Sequence, residues 1–277
     1  MALQTKTITV DGRRVQYLEA GPAGAAPIIF LHGGVGDAAF HWAQLLPELA
    51  TSYRLIAPDM PGFGQSDPLP QMTYAALTGW VRGIFQALGF QQAVLVGHSV
   101  GGLVARLVAA AYPQDVPALI LINGGVLPGK SGGFIRQVAR IPVIDGWFFR
   151  WLAGQGIGNR AALEWLVVDH TDTERLTDQM VEAAQASVPG LVAVMQMQTL
   201  DTLPESRVPM VPTMLLWGVE DTFSPISAGE RVHKAIPGSE LRRVEGTQHA
   251  PHIDEPDVVA FQIQSFVDNL GRTGSPG

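Results

Sequence analysis

The 277-residue chain contains no cysteine. Disulfides, thiolate nucleophiles and zinc–thiolate sites are therefore excluded, while the redox compartment stays open. It also lacks a surplus of positive charge. Eighteen Lys and Arg stand against 25 Asp and Glu, a net charge of −7, and this balance argues against a nucleic-acid-binding surface. No apolar run is long enough to span a bilayer, and the opening Met1-Ala2-Leu3-Gln4-Thr5-Lys6 has no apolar core of the kind a signal peptide needs. A cytoplasmic protein with no membrane partner is expected. Charged residues are scarce, 16 % against 47 % hydrophobic, which describes a packed globular chain long enough for one large α/β domain, with or without an insertion. There is no internal repeat or low-complexity tract, and the Gly/Ser/Pro-rich tail from Gly271 is expected to fray.

The stretch that organises the rest is Ala93-Val94-Leu95-Val96-Gly97-His98-Ser99-Val100-Gly101-Gly102-Leu103. An apolar β-like run breaks at Gly-His-Ser-Val-Gly and resumes as a helix. A serine at such a turn projects into a cleft, the glycines two before and two after give the turn room, and the helix N-terminus favours a developing negative charge. Taken alone, the pentapeptide is equally compatible with a strand-to-helix turn whose serine is only a cap. Its context decides, because an acid and a histidine follow it in the chain in that order.

Around this turn the pattern alternates strand and helix. Thr5–Val10 and Arg13–Glu19 flank Asp11-Gly12, a two-residue hairpin signal. Pro27–Leu31 is short and continuously apolar, as in a strand buried on both faces, and leads through His32-Gly33-Gly34-Val35-Gly36-Asp37 to a helix carrying Phe40, Trp42, Leu45, Leu46 and Leu49. Tyr53–Ala57 reads as a strand, Thr73 as the cap of a helix to Leu88 with Gly89 as its stop, and Ala118–Ile122 as another strand, ending at Asn123. From Val126 to Leu203 the pattern is helical and rich in Trp, Phe and Met. Alternation returns with Thr213–Trp217, Ser227–Ala235, Glu240–Val244 and Pro256–Leu270. A mostly parallel sheet covered on both faces follows from this order.

These motifs together resemble the α/β-hydrolase superfamily. His32-Gly33-Gly34 is similar to its oxyanion loop, Asp59-Met60-Pro61-Gly62-Phe63-Gly64-Gln65-Ser66 to its turn after the fourth strand, and Gly97–Gly101 to its nucleophile elbow. Trp217-Gly218-Val219-Glu220-Asp221 resembles the acid-bearing segment, and Gly246-Thr247-Gln248-His249 with Pro256 the histidine loop. The resemblance implies an α/β-hydrolase fold with an eight-stranded sheet, a core of residues 1–126 and 204–277, and an inserted helical cap over 127–203.

It further implies Ser99 as nucleophile, His249 as base and Asp221 as orienting acid, with the backbone N–H groups of Gly34 and Val100 as the oxyanion hole. Each role has a rival. Glu220 adjoins Asp221, and His252 lies three residues past His249; the family spacing favours Asp221 and His249 and leaves His252 as a loop or rim residue. His98 reads as packed structure and His32 as a loop brace. His41, His170 and His233 share no metal-like spacing and read as solvated or cap residues, so neither a metal nor a cofactor is expected. In the cap, Trp147, Phe148, Trp151, Trp165 and Met195 are candidates to line an apolar pocket, or else helix-packing core.

A serine at position 99 excludes the superfamily's aspartate-nucleophile branches, such as epoxide hydrolases and haloalkane dehalogenases. The expected partner is a small molecule, with oligomeric state left open, and the leading reading is hydrolysis of a carboxylic ester or lactone through an acyl-enzyme. A carbon–carbon bond hydrolase of the meta-cleavage-product type is the alternative, weakened by Ala250 where those enzymes usually place tryptophan. A ligand receptor on a hydrolase scaffold is the third.

Overall fold

A computed structural model of the protein describes residues 2–128, 163, 177–205 and 207–273. Eight strands form one sheet in the order β1-β2-β4-β3-β5-β6-β7-β8. They are β1 Gln4–Val10, β2 Arg13–Ala20, β3 Pro27–Leu31, β4 Arg54–Pro58, β5 Val94–His98, β6 Leu119–Ile122, β7 Thr213–Gly218 and β8 Glu240–Val244. β1 and β2 form the expected hairpin, with Val10 opposite Arg13 and the turn residues Asp11 and Gly12 at φ 49° and 75°, the geometry a tight hairpin of this twist requires. β2 joins β4 antiparallel, and every pair from β4 through β3 to β8 is parallel.

The continuously apolar strands are explained by burial on both faces. Ile29, Leu31, Leu95, Leu119, Leu121 and Leu215 point to one side, against α3 (Tyr74–Leu88), α4 (Ser99–Ala111) and the helix Ile226–Ala235. Their neighbours Ile28, Phe30, Val94, Val96, Ile120 and Leu216 point to the other, against Trp42, Leu46, Leu49, Val259 and Ile263. Thr73 caps α3 by accepting from Ala76 N at 3.0 Å, and Gly89 ends it at φ 72°. One helix differs from expectation. The segment after His32 forms two short pieces, α1 Ala38–Trp42 and α2 Leu46–Leu49, because Pro47 has no N–H to continue α1 and suits the first turn of a new helix.

Within the expected cap, the described residues form α5 Asp178–Ala186 and α6 Val188–Leu200. Trp147, Phe148, Trp151, Trp165 and His170 lie outside the described residues. Three further helices follow: α7 Ile226–Ala235, α8 Pro251–Asp254 and α9 Pro256–Thr273. No described helix is long and apolar enough to cross a membrane.

Candidate active site

The parallel strands end at one edge of the sheet, and that edge gathers the residues singled out above. β5 runs directly into α4 at Ser99, whose φ of 51° puts a non-glycine residue in the left-handed region. Such strain persists only where the surroundings enforce it. Here the packing does so: a Cβ on Gly97 would lie 2.5 Å from Gly101 O, and one on Gly101 would collide with the carbonyls of Leu31 and His32. Strand and helix approach this closely only because both positions are glycine.

His249, in the loop between β8 and α8, reaches both partners. Its Nε2 lies 3.1 Å from Ser99 Oγ and its Nδ1 2.7 Å from Asp221 Oδ2. In this arrangement Nδ1–H donates to the carboxylate and Nε2 is free to accept from the serine hydroxyl. Asp221 follows β7 and is buried. Phe223 N and Ser224 N both donate to its Oδ1 at 2.8 Å, and Asn123 Nδ2 donates to Oδ2 at 2.6 Å. Burial alone would raise the carboxyl's affinity for a proton, but the His249 hydrogen bond and charge, with the Ser224 and Asn123 donors, hold it below the ordinary carboxylate value.

Asn123, which the sequence marks only as the end of a strand, closes β6. Its Oδ1 accepts from Gly218 N at 3.0 Å, and its own φ is 40°, so it fastens the acid's oxygen to the strand that carries the acid. Glu220 serves the histidine loop instead: its Oε2 accepts from Thr247 N at 3.0 Å, and Glu220 N donates to Thr247 O. Asp254 accepts from Gln248 N at 3.1 Å, and His98 Nε2–H donates to His249 O at 2.8 Å. The loop is thus held on three sides.

Gly34 packs beside Val100. A Cβ on Gly34 would sit 3.7 Å from Val100 Cγ1 and 3.1 Å from Leu191 Cδ1 of α6. Val100 is the second residue of α4, where a backbone N–H has no partner within the helix. The Gly-rich loop is braced by His32, whose Nδ1–H donates to Gly33 O and whose Nε2 accepts from Met60 N. Asp59 Oδ1 accepts from Ala38 N at 3.0 Å, and Gly36 N donates to Ser187 Oγ at 3.0 Å, between α5 and α6. Met195 of α6 is half-buried against the cluster formed by Phe40, Val192, Ala250 and Ile253.

Two histidines differ from their expected places. His252 is fully buried rather than on a rim, and His41 is buried rather than solvated or capping; they pack against each other and against His98. Spacing along the chain could not reveal this, because positions 41, 98 and 252 meet only through the fold. The sequence reading also passed over Phe223, a 60 % exposed aromatic whose ring stands edge-on to His249 with centroids 4.9 Å apart. Its position two residues after the expected acid was the available signal.

The strand order, the elbow at Ser99 and the approach of His249 to Ser99 and Asp221 lead to the class. The profile of the alpha/beta hydrolase fold family matches residues 26–256, and the chain belongs to that family. An uncharacterized protein of Mycobacterium tuberculosis is 31 % identical over 94 % of this chain and 80 % of its own length. Mouse epoxide hydrolase 4 is 29 % identical over 95 % of this chain and 78 % of its own. Among solved structures, a thermophilic esterase from Thermogutta terrifontis superposes with a TM-score of 0.77 at 22 % identity, covering 96 % of this chain and 99 % of that one.

Proposed function

We propose that the protein is a serine hydrolase that cleaves a carboxylic ester or lactone of a small, mainly apolar substrate through an acyl-enzyme. The observation that supports this most is the unbroken chain from Ser99 Oγ through the His249 ring to Asp221. Serine is a poor nucleophile at neutral pH. His249 takes its proton as Oγ attacks the ester carbonyl, and Asp221 holds the ring in the required tautomer and stabilises it once cationic. The N–H groups of Gly34 and Val100 receive the charge that develops on the carbonyl oxygen. His249 then hands its proton to the leaving alcohol, and a water activated by the same nitrogen releases the acid and restores Ser99.

An epoxide-opening route through an aspartyl ester needs a carboxylate at position 99, which this chain does not have. The apolar character of the substrate is supported by Leu191 above Gly34 and by Phe223 beside His249. The proposed pocket also includes Met195 of α6. The reading is tested by steady-state turnover on p-nitrophenyl esters of graded chain length, with lactones and a dienone diketone alongside. Sustained ester or lactone turnover that falls by several orders of magnitude in Ser99→Ala supports it. Turnover only of the diketone, or of no compound, refutes it.

A further inference from the structure

Behind the proposed base, three buried imidazoles bring their nitrogens together. One ring nitrogen each of His41, His98 and His252 lies within 4.8 Å of the others. The hydrogen bonds fix where the protons are. His41 Nε2 is 2.7 Å from Val35 O, and His98 Nε2 is 2.8 Å from His249 O. A carbonyl only accepts, so both rings carry their proton on Nε2 and present a bare Nδ1. His252 Nε2 lies 3.1 Å from that bare Nδ1 of His41 and must donate to it, which leaves His252 Nδ1 bare as well. Among the described residues neither His98 Nδ1 nor His252 Nδ1 has a hydrogen-bond partner, although both are buried, and an unmet buried acceptor is destabilising.

We infer that His41, His98 and His252 form a binding site for one divalent ion of the borderline class, such as Zn²⁺ or Co²⁺. Four observations carry this. One ring nitrogen of each histidine stands within 4.8 Å of the other two. Two of the three rings already donate their other N–H to a backbone carbonyl, the arrangement that orients a metal-ligating histidine. When His252 moves its proton from Nε2 to Nδ1, leaving a buried Nδ1–H with no acceptor among the described residues, all three rings offer lone pairs, and the 3.1 Å between His41 Nδ1 and His252 Nε2 is close to the separation of roughly 3.3 Å between two nitrogens on a tetrahedral ion with bonds near 2.0–2.1 Å. Finally, position 33 is glycine, and a Cβ there would press within 2.7 Å of His98 Nδ1.

With nitrogen the only donor and no carboxylate in the set, the site selects against Mg²⁺ and Ca²⁺. The three ligands are neutral, so loading releases no proton from the protein, and water completes the coordination. Uptake is slow because all three rings are buried. One consequence rests on the function proposed above: the His98 ring lies 5.0 Å from that of His249, and a dication there opposes the positive charge His249 must take from Ser99.

The test uses tag-free, chelator-treated full-length protein titrated with Co²⁺, read by visible d–d absorption and by melting temperature rather than by activity. We expect one equivalent bound, a raised melting temperature, no effect of Mg²⁺, and affinity reduced more than about 100-fold in His41→Gln and in His252→Gln. A His233→Gln control keeps full binding. Should the cluster variants fail to fold, X-ray absorption at the cobalt edge of the wild-type complex decides, with three imidazole nitrogens expected. No binding, binding undiminished in either cluster variant, or a shell of oxygens alone overturns the inference.

Discussion

Mild acid should destabilise this protein more than its few charges suggest. His32 and His98 are fully enclosed, and burial lowers their ring pKa values from the ordinary 6.5 to about 4 and about 3. Burial, and then the neighbouring histidines, hold His41 and His252 well below 6.5 too. Between pH 6.5 and those values the unfolded chain binds protons that the folded chain refuses, so stability falls as pH falls. At pH 5.5 each ring that stays neutral in the fold forfeits about 1.4 kcal/mol, or about 3 kcal/mol for His32 and His98 together. Asp59 works the other way. Burial raises its carboxyl to about 6, so the fold takes up a proton there and recovers about 0.8 kcal/mol at the same pH. Asp221, held low, loses its contribution only in stronger acid. The net loss between pH 7.5 and 5.5 from His32, His98 and Asp59 is about 2 kcal/mol, and His41 and His252 act in the same direction as the first two. Urea unfolding of chelator-treated protein at the two pH values measures it directly. Equal or greater stability at pH 5.5, with an unchanged denaturant slope, would refute the reasoning that these rings stay neutral.

Three further outcomes follow from the site. Asn123→Ala removes the 2.6 Å donor to Asp221 and should lower kcat by roughly 10- to 100-fold, as expected of a hydrogen bond to a charged group, with KM nearly unchanged. A loss confined to KM would contradict that positioning role. Asp221→Asn should cost on the order of 10⁴ in kcat by favouring the wrong tautomer of His249, whereas Glu220→Gln, which retains an acceptor for Thr247 N, should cost little; kcat values of the two side by side decide. Ser187→Ala leaves Gly36 N without its acceptor and should lower stability by about 1–2 kcal/mol and kcat/KM with it, which thermal melts and ester kinetics together would show.

The individual strands and the serine turn are legible because they depend on local pattern. Continuous apolar runs bounded by glycine and proline mark strands covered on both faces, and Gly97, Ser99 and Gly101 mark a turn that only those residues permit. What escapes a linear reading depends on contacts between distant segments. His252 reads as a loop residue until α1 brings His41 against it from 211 positions away. Asn123 reads as the end of a strand until β6 and β7 pair and place its amide on Asp221. Ser187 carries no signal at all until the junction of α5 and α6 meets Gly36. Pro47 was a readable sign, since it breaks the first helix for reasons of covalent structure alone.

The proposal that Ser99 acts as a covalent nucleophile is tested most directly by acid-quenching the protein during turnover of p-nitrophenyl acetate and mapping the adduct by peptide mass spectrometry. The expected result is one acetyl group on Ser99, formed with a burst of nitrophenolate and absent from Ser99→Ala. An adduct on another residue, or full turnover by Ser99→Ala, would contradict it.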